Sequence, residues 1–253
     1  MEFSRDEHKA VLALGLAAGF IIGFGELVSY KGSSIQLDTA GILPLIVLIV
    51  GMIISVFWHE AAHKLAARYT GYYTHITSYP AGVVLGVALT VFTFGFIQFF
   101  TPNATDLEAN PRARIAKHRK YENWKQEAFI AGAGVFATGL FAAALQGMYL
   151  VTNEELFRTL LLGNLWLMLY SLIPLELLNL WQLKLMQSIE QLPQSDGLYL
   201  LHYSKYAYVF VTTFAIVTAI ILYFTQSLML WIALVFAFTA TMAVWWNFFK
   251  EGH

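Results

Sequence analysis

Residues 42–66 read I-L-P-L-I-V-L-I-V-G-M-I-I-S-V-F-W-H-E-A-A-H-K-L-A. A helix must offer about 20 mostly apolar residues to cross the roughly 30 Å hydrocarbon core of a bilayer, and this run is long enough. It stays free of charge until His59, Glu60, His63 and Lys64 crowd its end. The rest of the chain agrees with a membrane reading. Of its 253 residues, 58% are hydrophobic and 12% charged, whereas an ordinary soluble domain is about 25% charged. So little charge cannot cover a water-facing globule, which excludes a soluble enzyme and a disordered chain. The formal net charge of −1 leaves no basic footprint, so no nucleic-acid partner is expected. Without Cys, disulfides and thiolate metal sites are excluded.

Further apolar runs lie at about 10–29, 128–151, 157–181, 206–224 and 227–248. The first is too long for a signal-peptide core and no small-residue cleavage site follows it, so it is read as a retained span. The run 81–100 (AGVVLGVALTVFTFGFIQFF) is ambiguous, and charge arbitrates, because Lys and Arg accumulate in cytoplasmic loops. If 81–100 does not cross and the N-terminus is inside, only Lys31 and Arg158 of the 15 Lys and Arg lie outside. If it crosses, Arg5, Lys9, Lys64 and Arg68 move outside with Arg158. The first arrangement is the better one. It predicts a multi-pass cell-membrane protein of about six spans with a cytoplasmic N-terminus. Pro80 and Pro102 bracket the ambiguous run, Gly82, Gly86 and Gly95 interrupt it, and Val83, Val84, Val87 and Val91 favour strand over helix. A re-entrant or strand-like cytoplasmic-side insert is therefore expected over about 67–126, with a seventh helix as the alternative. The basic cluster at 112–120 reads as a solvated face near anionic headgroups. No repeat or second domain is evident. The expected fold is a single all-α polytopic domain over 1–253, with the lipid bilayer as its surroundings.

The chemistry is concentrated in His59-Glu60-Ala61-Ala62-His63. On a helix, positions i and i+4 share a face, so both imidazoles can reach one metal ion. Glu60 stands beside them, placed to accept a proton from water rather than to bind metal. With seven His in the chain, an accidental H-E-x-x-H arises on the order of once in a hundred. Ionisable groups are costly inside a membrane, so three within five positions of an apolar run mark a functional site. Zinc suits His and carboxylate ligands, and a catalytic zinc site takes three protein ligands. The third must come from elsewhere. Asp196, in L-P-Q-S-D-G-L, lies on the same side as His59 and His63 under the preferred topology. Glu176, just after Pro174, is the other candidate, and Glu155 is excluded because it falls on the opposite side. Depth and side favour Asp196.

H-E-A-A-H on a second span, followed far downstream by L-P-Q-S-D-G, resembles the site-2 protease family of intramembrane zinc metalloproteases. The resemblance covers about residues 42–205. It implies a helical bundle in which His59, His63 and Asp196 bind Zn2+ and Glu60 activates the water that cleaves a peptide bond. The implied substrate is a membrane-embedded helix of another protein. Departures are visible. A-G-A-G-V-F at 131–136 keeps Gly132 but has Ala133 and Phe136 where the family's G-P-x-x-N string has Pro and Asn. Y-S-L-I-P at 170–174 has Ser171 where the family's N-L-L-P has Asn, and about 18 residues (175–192) precede Leu192-Pro193. A catalytically silent zinc-binding homologue and a transporter relaying ions through the buried His and Glu stay open as alternatives.

Asn164, inside the span 157–181, reads as an amide that hydrogen-bonds a neighbouring helix, with a substrate-facing role as the alternative, and Ser171 is the other candidate for contact with substrate. His75, His118 and His202 lie near polar loops and read as solvated. Glu26 reads as snorkelling to the interface. Glycines 132, 134 and 139 read as helix-packing positions, and the Trp pair at 245–246 as an interfacial anchor. The sequence does not fix the oligomeric state.

Overall fold

The computed structural model describes residues 3–31, 34–109, 124–174 and 195–250. Among these the chain is mostly helical, with two small antiparallel hairpins. Helix α1 (Arg5–Gly23) begins at Ser4, whose hydroxyl accepts from the Glu7 N–H at 3.2 Å while the Glu7 carboxylate accepts from the Ser4 N–H at 2.7 Å. That reciprocal pair satisfies two amide groups that a helix start otherwise leaves open. Hairpin β1 (Val28–Lys31) and β2 (Ser34–Leu37) follows, an element the sequence reading did not anticipate.

Helix α2 (Ile42–Thr70) carries the H-E-A-A-H string and is stopped at Gly71, whose φ of 78° is left-handed. Its buried positions include Leu48, Met52, Ser55, Val56, His59, Glu60 and His63. Their spacing of three or four residues puts both imidazoles and the Glu60 carboxylate on the one face turned into the bundle. Helix α3 (Pro80–Phe92) lies between strands β3 (Tyr72–Thr77) and β4 (Ala104–Ala109). Helices α4 (Trp124–Thr152), α5 (Glu155–Ser171), α6 (Asp196–Tyr203), α7 (Lys205–Phe224) and α8 (Leu228–Lys250) complete the described chain. α4 is the hub, packing against α2, α5, α6, α7 and α8.

Among the described residues, four segments are long and apolar enough to cross a membrane: Arg5–Leu27, Thr39–Thr70, Trp124–Thr152 and Lys205–Phe224. They match four of the expected runs. The apolar stretch within α8, Leu230–Trp245, is shorter. α5 ends at Ser171, and the remainder of the expected run to 181 lies largely outside the described residues. Large apolar side chains face outward: Leu43 is 70%, Val151 76% and Phe224 71% exposed. Such a surface would aggregate in water and is ordinary in lipid. The chain is a membrane-embedded, predominantly helical protein.

The region 81–100 requires a correction. Its valines are not in a strand: residues 80–92 are helical, with Pro80 in the first turn where its missing N–H costs nothing. Strand preference measures fit to a pleated sheet, and an apolar segment in lipid satisfies its own backbone better as a helix. At 13 residues, or about 20 Å, α3 is too short to cross alone. The expected strands flank it instead. β3 and β4 pair in register from Tyr72↔Ala109 to Thr77↔Ala104, so residues 78–103 leave and return at one place, as a re-entrant element does. The chain reverses at Phe94 and Gly95 (φ 53° and 82°). On the non-helical return, the Ile97 N–H donates to Thr93 Oγ1 at 3.0 Å and the Gln98 carbonyl accepts from the Tyr170 hydroxyl at 2.9 Å. Bonds of this kind let irregular backbone exist among apolar helices. A second correction concerns Trp245. It is 7% exposed, lies against Gly132 and sits 5.6 Å ring to ring from Phe136; it is a core residue rather than an interfacial anchor.

Candidate metal centre

Helix α2 supplies His59, Glu60 and His63, and the first turn of α6 supplies Asp196. Residues 133 positions apart in sequence, His63 and Asp196, meet because α6 packs against α4, which packs against α2. Gly197 permits this: a Cβ there would strike the carbonyl of Leu172 at the end of α5. All four side chains belong to residues less than one-tenth exposed.

The hydrogen bonds fix how the imidazoles are protonated. His63 Nδ1 lies 2.8 Å from the Ile130 carbonyl. A carbonyl can only accept, so Nδ1 carries the proton. His59 Nδ1 lies 2.8 Å from Thr138 Oγ1. The Thr138 hydroxyl already donates to the Gly134 carbonyl at 2.9 Å, so it accepts from His59. When neutral, both rings therefore turn an Nε2 lone pair toward the same region. The two Nε2 atoms are 3.0 Å apart, and each lies 3.4 Å from an oxygen of Asp196. Asp196 Oδ2 is buried without a hydrogen-bond partner, as expected when the neighbouring Nε2 has no proton to give.

Three acceptors converging in a buried space repel one another unless a cation sits among them. That cation is an extra proton on one ring or a metal ion, and the three ligand atoms stand close enough together to hold the latter. Ligand atoms placed about 2.0–2.2 Å from a tetrahedral ion stand roughly 3.3–3.6 Å apart; the two 3.4 Å contacts, made to different Asp196 oxygens, lie in that range and the 3.0 Å Nε2–Nε2 contact lies below it. Among the described residues, His59, His63 and Asp196 form the group whose ligand atoms could hold an ion. The helix α4 backbone makes room for it. A Cβ at Gly134 would collide with His63 Nε2 and Cε1 and with His59 Cε1.

Glu60 stands to one side of this cluster. Its Oε1 accepts from Asn103 Nδ2 and its Oε2 from the Thr105 hydroxyl, each at 3.2 Å. Neither oxygen belongs to the metal-holding group. Tyr199, one turn beyond Asp196, donates to the Thr105 carbonyl at 3.1 Å. Burial pushes the Tyr199 phenol well above its ordinary range, with the Asp106, Glu127 and Asp196 carboxylates adding to the effect. It is a fixed donor rather than an acid.

The other candidates fall as follows. Asn164 is fully buried, donating to Ser55 Oγ at 3.0 Å and to the Leu160 carbonyl at 2.9 Å, while its Oδ1 has no partner. Ser55 is one turn before His59, so Asn164 abuts the metal-bearing face one turn away. Ser171 donates to the Met168 carbonyl of its own helix at 3.1 Å. Glu176, His118 and the basic cluster 112–120 lie outside the described residues. His75 is exposed beside Glu108, and the His202 ring packs on Trp124. Gly132 and Gly139 do pack against aromatic rings of α8, but Gly134 lines the centre, contrary to its expected packing role. The sequence reading missed Thr138, Asn103, Thr105 and Tyr199. Thr138 alone left a signal, since it lies four residues after Gly134 on the face that meets His59. Comparison of the chain with known protein-family models, with curated proteins and with solved structures finds no match.

Proposed function

We propose that this protein is an intramembrane zinc metalloprotease, a divergent relative of the site-2 protease family, which hydrolyses peptide bonds in membrane-embedded helices of other proteins. One observation carries the reading. Two imidazole Nε2 atoms and a carboxylate converge within ligand-sharing distance inside an apolar bundle, with a second carboxylate, outside that group, beside them. Zinc is favoured because two His and one carboxylate are a ligand set of catalytic zinc sites. When bound, it supplies a Lewis acid that polarises the scissile carbonyl and brings the pKa of water toward 7.

The chain's own residues do the rest. His59, His63 and Asp196 would hold the ion, and the Thr138 hydroxyl and Ile130 carbonyl keep the proton of each ring on Nδ1, which leaves Nε2 free to bind it. Glu60 takes the proton of the attacking water and returns it to the leaving amine nitrogen. A substrate helix hides its carbonyls in hydrogen bonds, so it must unwind locally to reach Glu60. Opening of the site toward the cytoplasm belongs to this proposal and rests on the distribution of Lys and Arg.

The test is metal content joined to cleavage. Purified protein is expected to hold about one zinc per chain and to cleave a reconstituted single-pass substrate. A chelator should stop cleavage and zinc should restore it, whereas Asp196→Ala should lose most of the metal and Glu176→Ala should keep it. Full zinc retention by Asp196→Ala would refute the ligand set.

A further inference from the structure

We infer that Asn103 and Thr105 are positioning residues that seat Glu60, and that the two-stranded insert exists in this helical bundle to carry them there. The inference rests on Glu60 as the general base and extends it to the residues that aim it. Both carboxylate oxygens are held from one three-residue stretch, Oε1 by the Asn103 amide and Oε2 by the Thr105 hydroxyl. An ionised carboxylate has about four acceptor positions, so capacity for the transferred proton remains. With each oxygen tied to a different donor, the carboxylate cannot turn about its last bond without breaking a hydrogen bond.

A seat is useful only if it is itself fixed, and here it is fixed on both sides. Thr105 pairs across the hairpin with Ile76. The Ile76 N–H points away from β4 and donates to Glu7 Oε1 at 3.2 Å. Glu7 Oε1 also accepts from Lys64 Nζ at 2.8 Å, and Lys64 directly follows the ligand His63. On the other side the Thr105 carbonyl accepts from Tyr199, on the helix that supplies Asp196. The seat is thus tied to both helices that bear the proposed ligands. A small displacement of a reacting group can cost about 10²-fold in rate, so a base on a long side chain gains from such fixing.

The experiment uses the full-length, zinc-loaded protein and compares Thr105→Val, which keeps the shape and loses the donor, with Thr105→Ser, which keeps the donor; Asn103→Leu removes the other. Two readouts are taken. The first is kcat and KM for cleavage of a single-pass substrate. The second is the infrared carboxylate stretch of Glu60, isolated by subtracting the spectrum of Glu60→Gln and independent of turnover. Thr105→Val and Asn103→Leu should each lower kcat about 10–10²-fold with KM and zinc content little changed. They should also shift the carboxylate band, while Thr105→Ser restores both rate and band. An unshifted band in Thr105→Val, or equal losses in the Ser and Val variants, would overturn the inference. If Glu60→Gln itself cleaves at the normal rate, the reading of Glu60 as base fails, and the band alone then decides whether Asn103 and Thr105 hold its carboxylate.

Discussion

Gly134→Ala is the smallest change that should remove the metal. The added methyl points at the meeting place of the ligands and would overlap His63 Nε2 and Cε1, with His59 Cε1 at 2.9 Å. Carbon atoms pack comfortably at about 3.5–4.0 Å, so both rings must retreat by roughly 1 Å. His63 is held by the Ile130 carbonyl and His59 by Thr138, each at 2.8 Å. Retreat therefore strains or breaks those bonds, at about 1 kcal/mol each. The methyl also fills the space beside His63 Nε2 that an ion held there would need. The overpacking itself should cost about 1–3 kcal/mol of stability. Loss of the hydrogen-bond partner behind a single ligand typically weakens metal binding about 10–100-fold, and here two imidazoles are displaced, so the loss should exceed 100-fold. Gly139→Ala is the control. It places the same methyl five residues further along α4, on another face of the helix and against the Phe238 ring at 2.8 Å, and should lower stability comparably while keeping the metal. Both are read by metal analysis of purified protein and by competition with a chelator of known affinity. Undiminished zinc affinity in Gly134→Ala would refute the placement of the ion among these three side chains.

Two further outcomes are expected. Thr138→Val removes the acceptor that fixes the His59 tautomer and should lower zinc affinity about 10–100-fold, with Thr138→Ser close to normal; chelator competition measures both. Single cysteines introduced into this Cys-free chain at positions 5 and 75 should label from one side of sealed vesicles and a cysteine at 153 from the other. Ile76 is bonded to Glu7 near the start of α1, whereas 153 lies beyond the far end of α4.

The residues that reveal the centre in the sequence are those whose spacing is set by one helix. His59 and His63 are legible because i and i+4 share a face, and Glu60 because it interrupts an apolar run. Asp196 is legible by its side of the membrane and by the Gly that follows it. What holds these groups was hidden for a physical reason. The Ile130 acceptor is a backbone carbonyl, which every residue has. Gly134 is defined by what it lacks, and glycine in a membrane helix has the commoner reading of helix contact. Asn103 and Thr105 look like an ordinary loop until the β3–β4 pairing lays them against α2. The misreading of 81–100 has a different source. Valine's preference for strands comes from sheet packing, whereas in lipid the backbone's need for partners decides, and a helix meets it alone. Trp245 was misplaced because amphipathic aromatics serve both interfaces and cores, and only the packing of α8 on α4 distinguishes the two.

The proposed role of Glu60 is to move the proton in a metal-dependent hydrolysis. Its most direct test is cleavage of a reconstituted single-pass substrate by zinc-loaded Glu60→Gln beside the unaltered protein. The amide keeps the shape of the side chain and leaves all three proposed ligands in place, so zinc content should be unchanged. Having no basic oxygen, it should cleave about 10²–10⁴-fold more slowly. Cleavage by Glu60→Gln at the unaltered protein's rate, with zinc bound in both, would contradict the account.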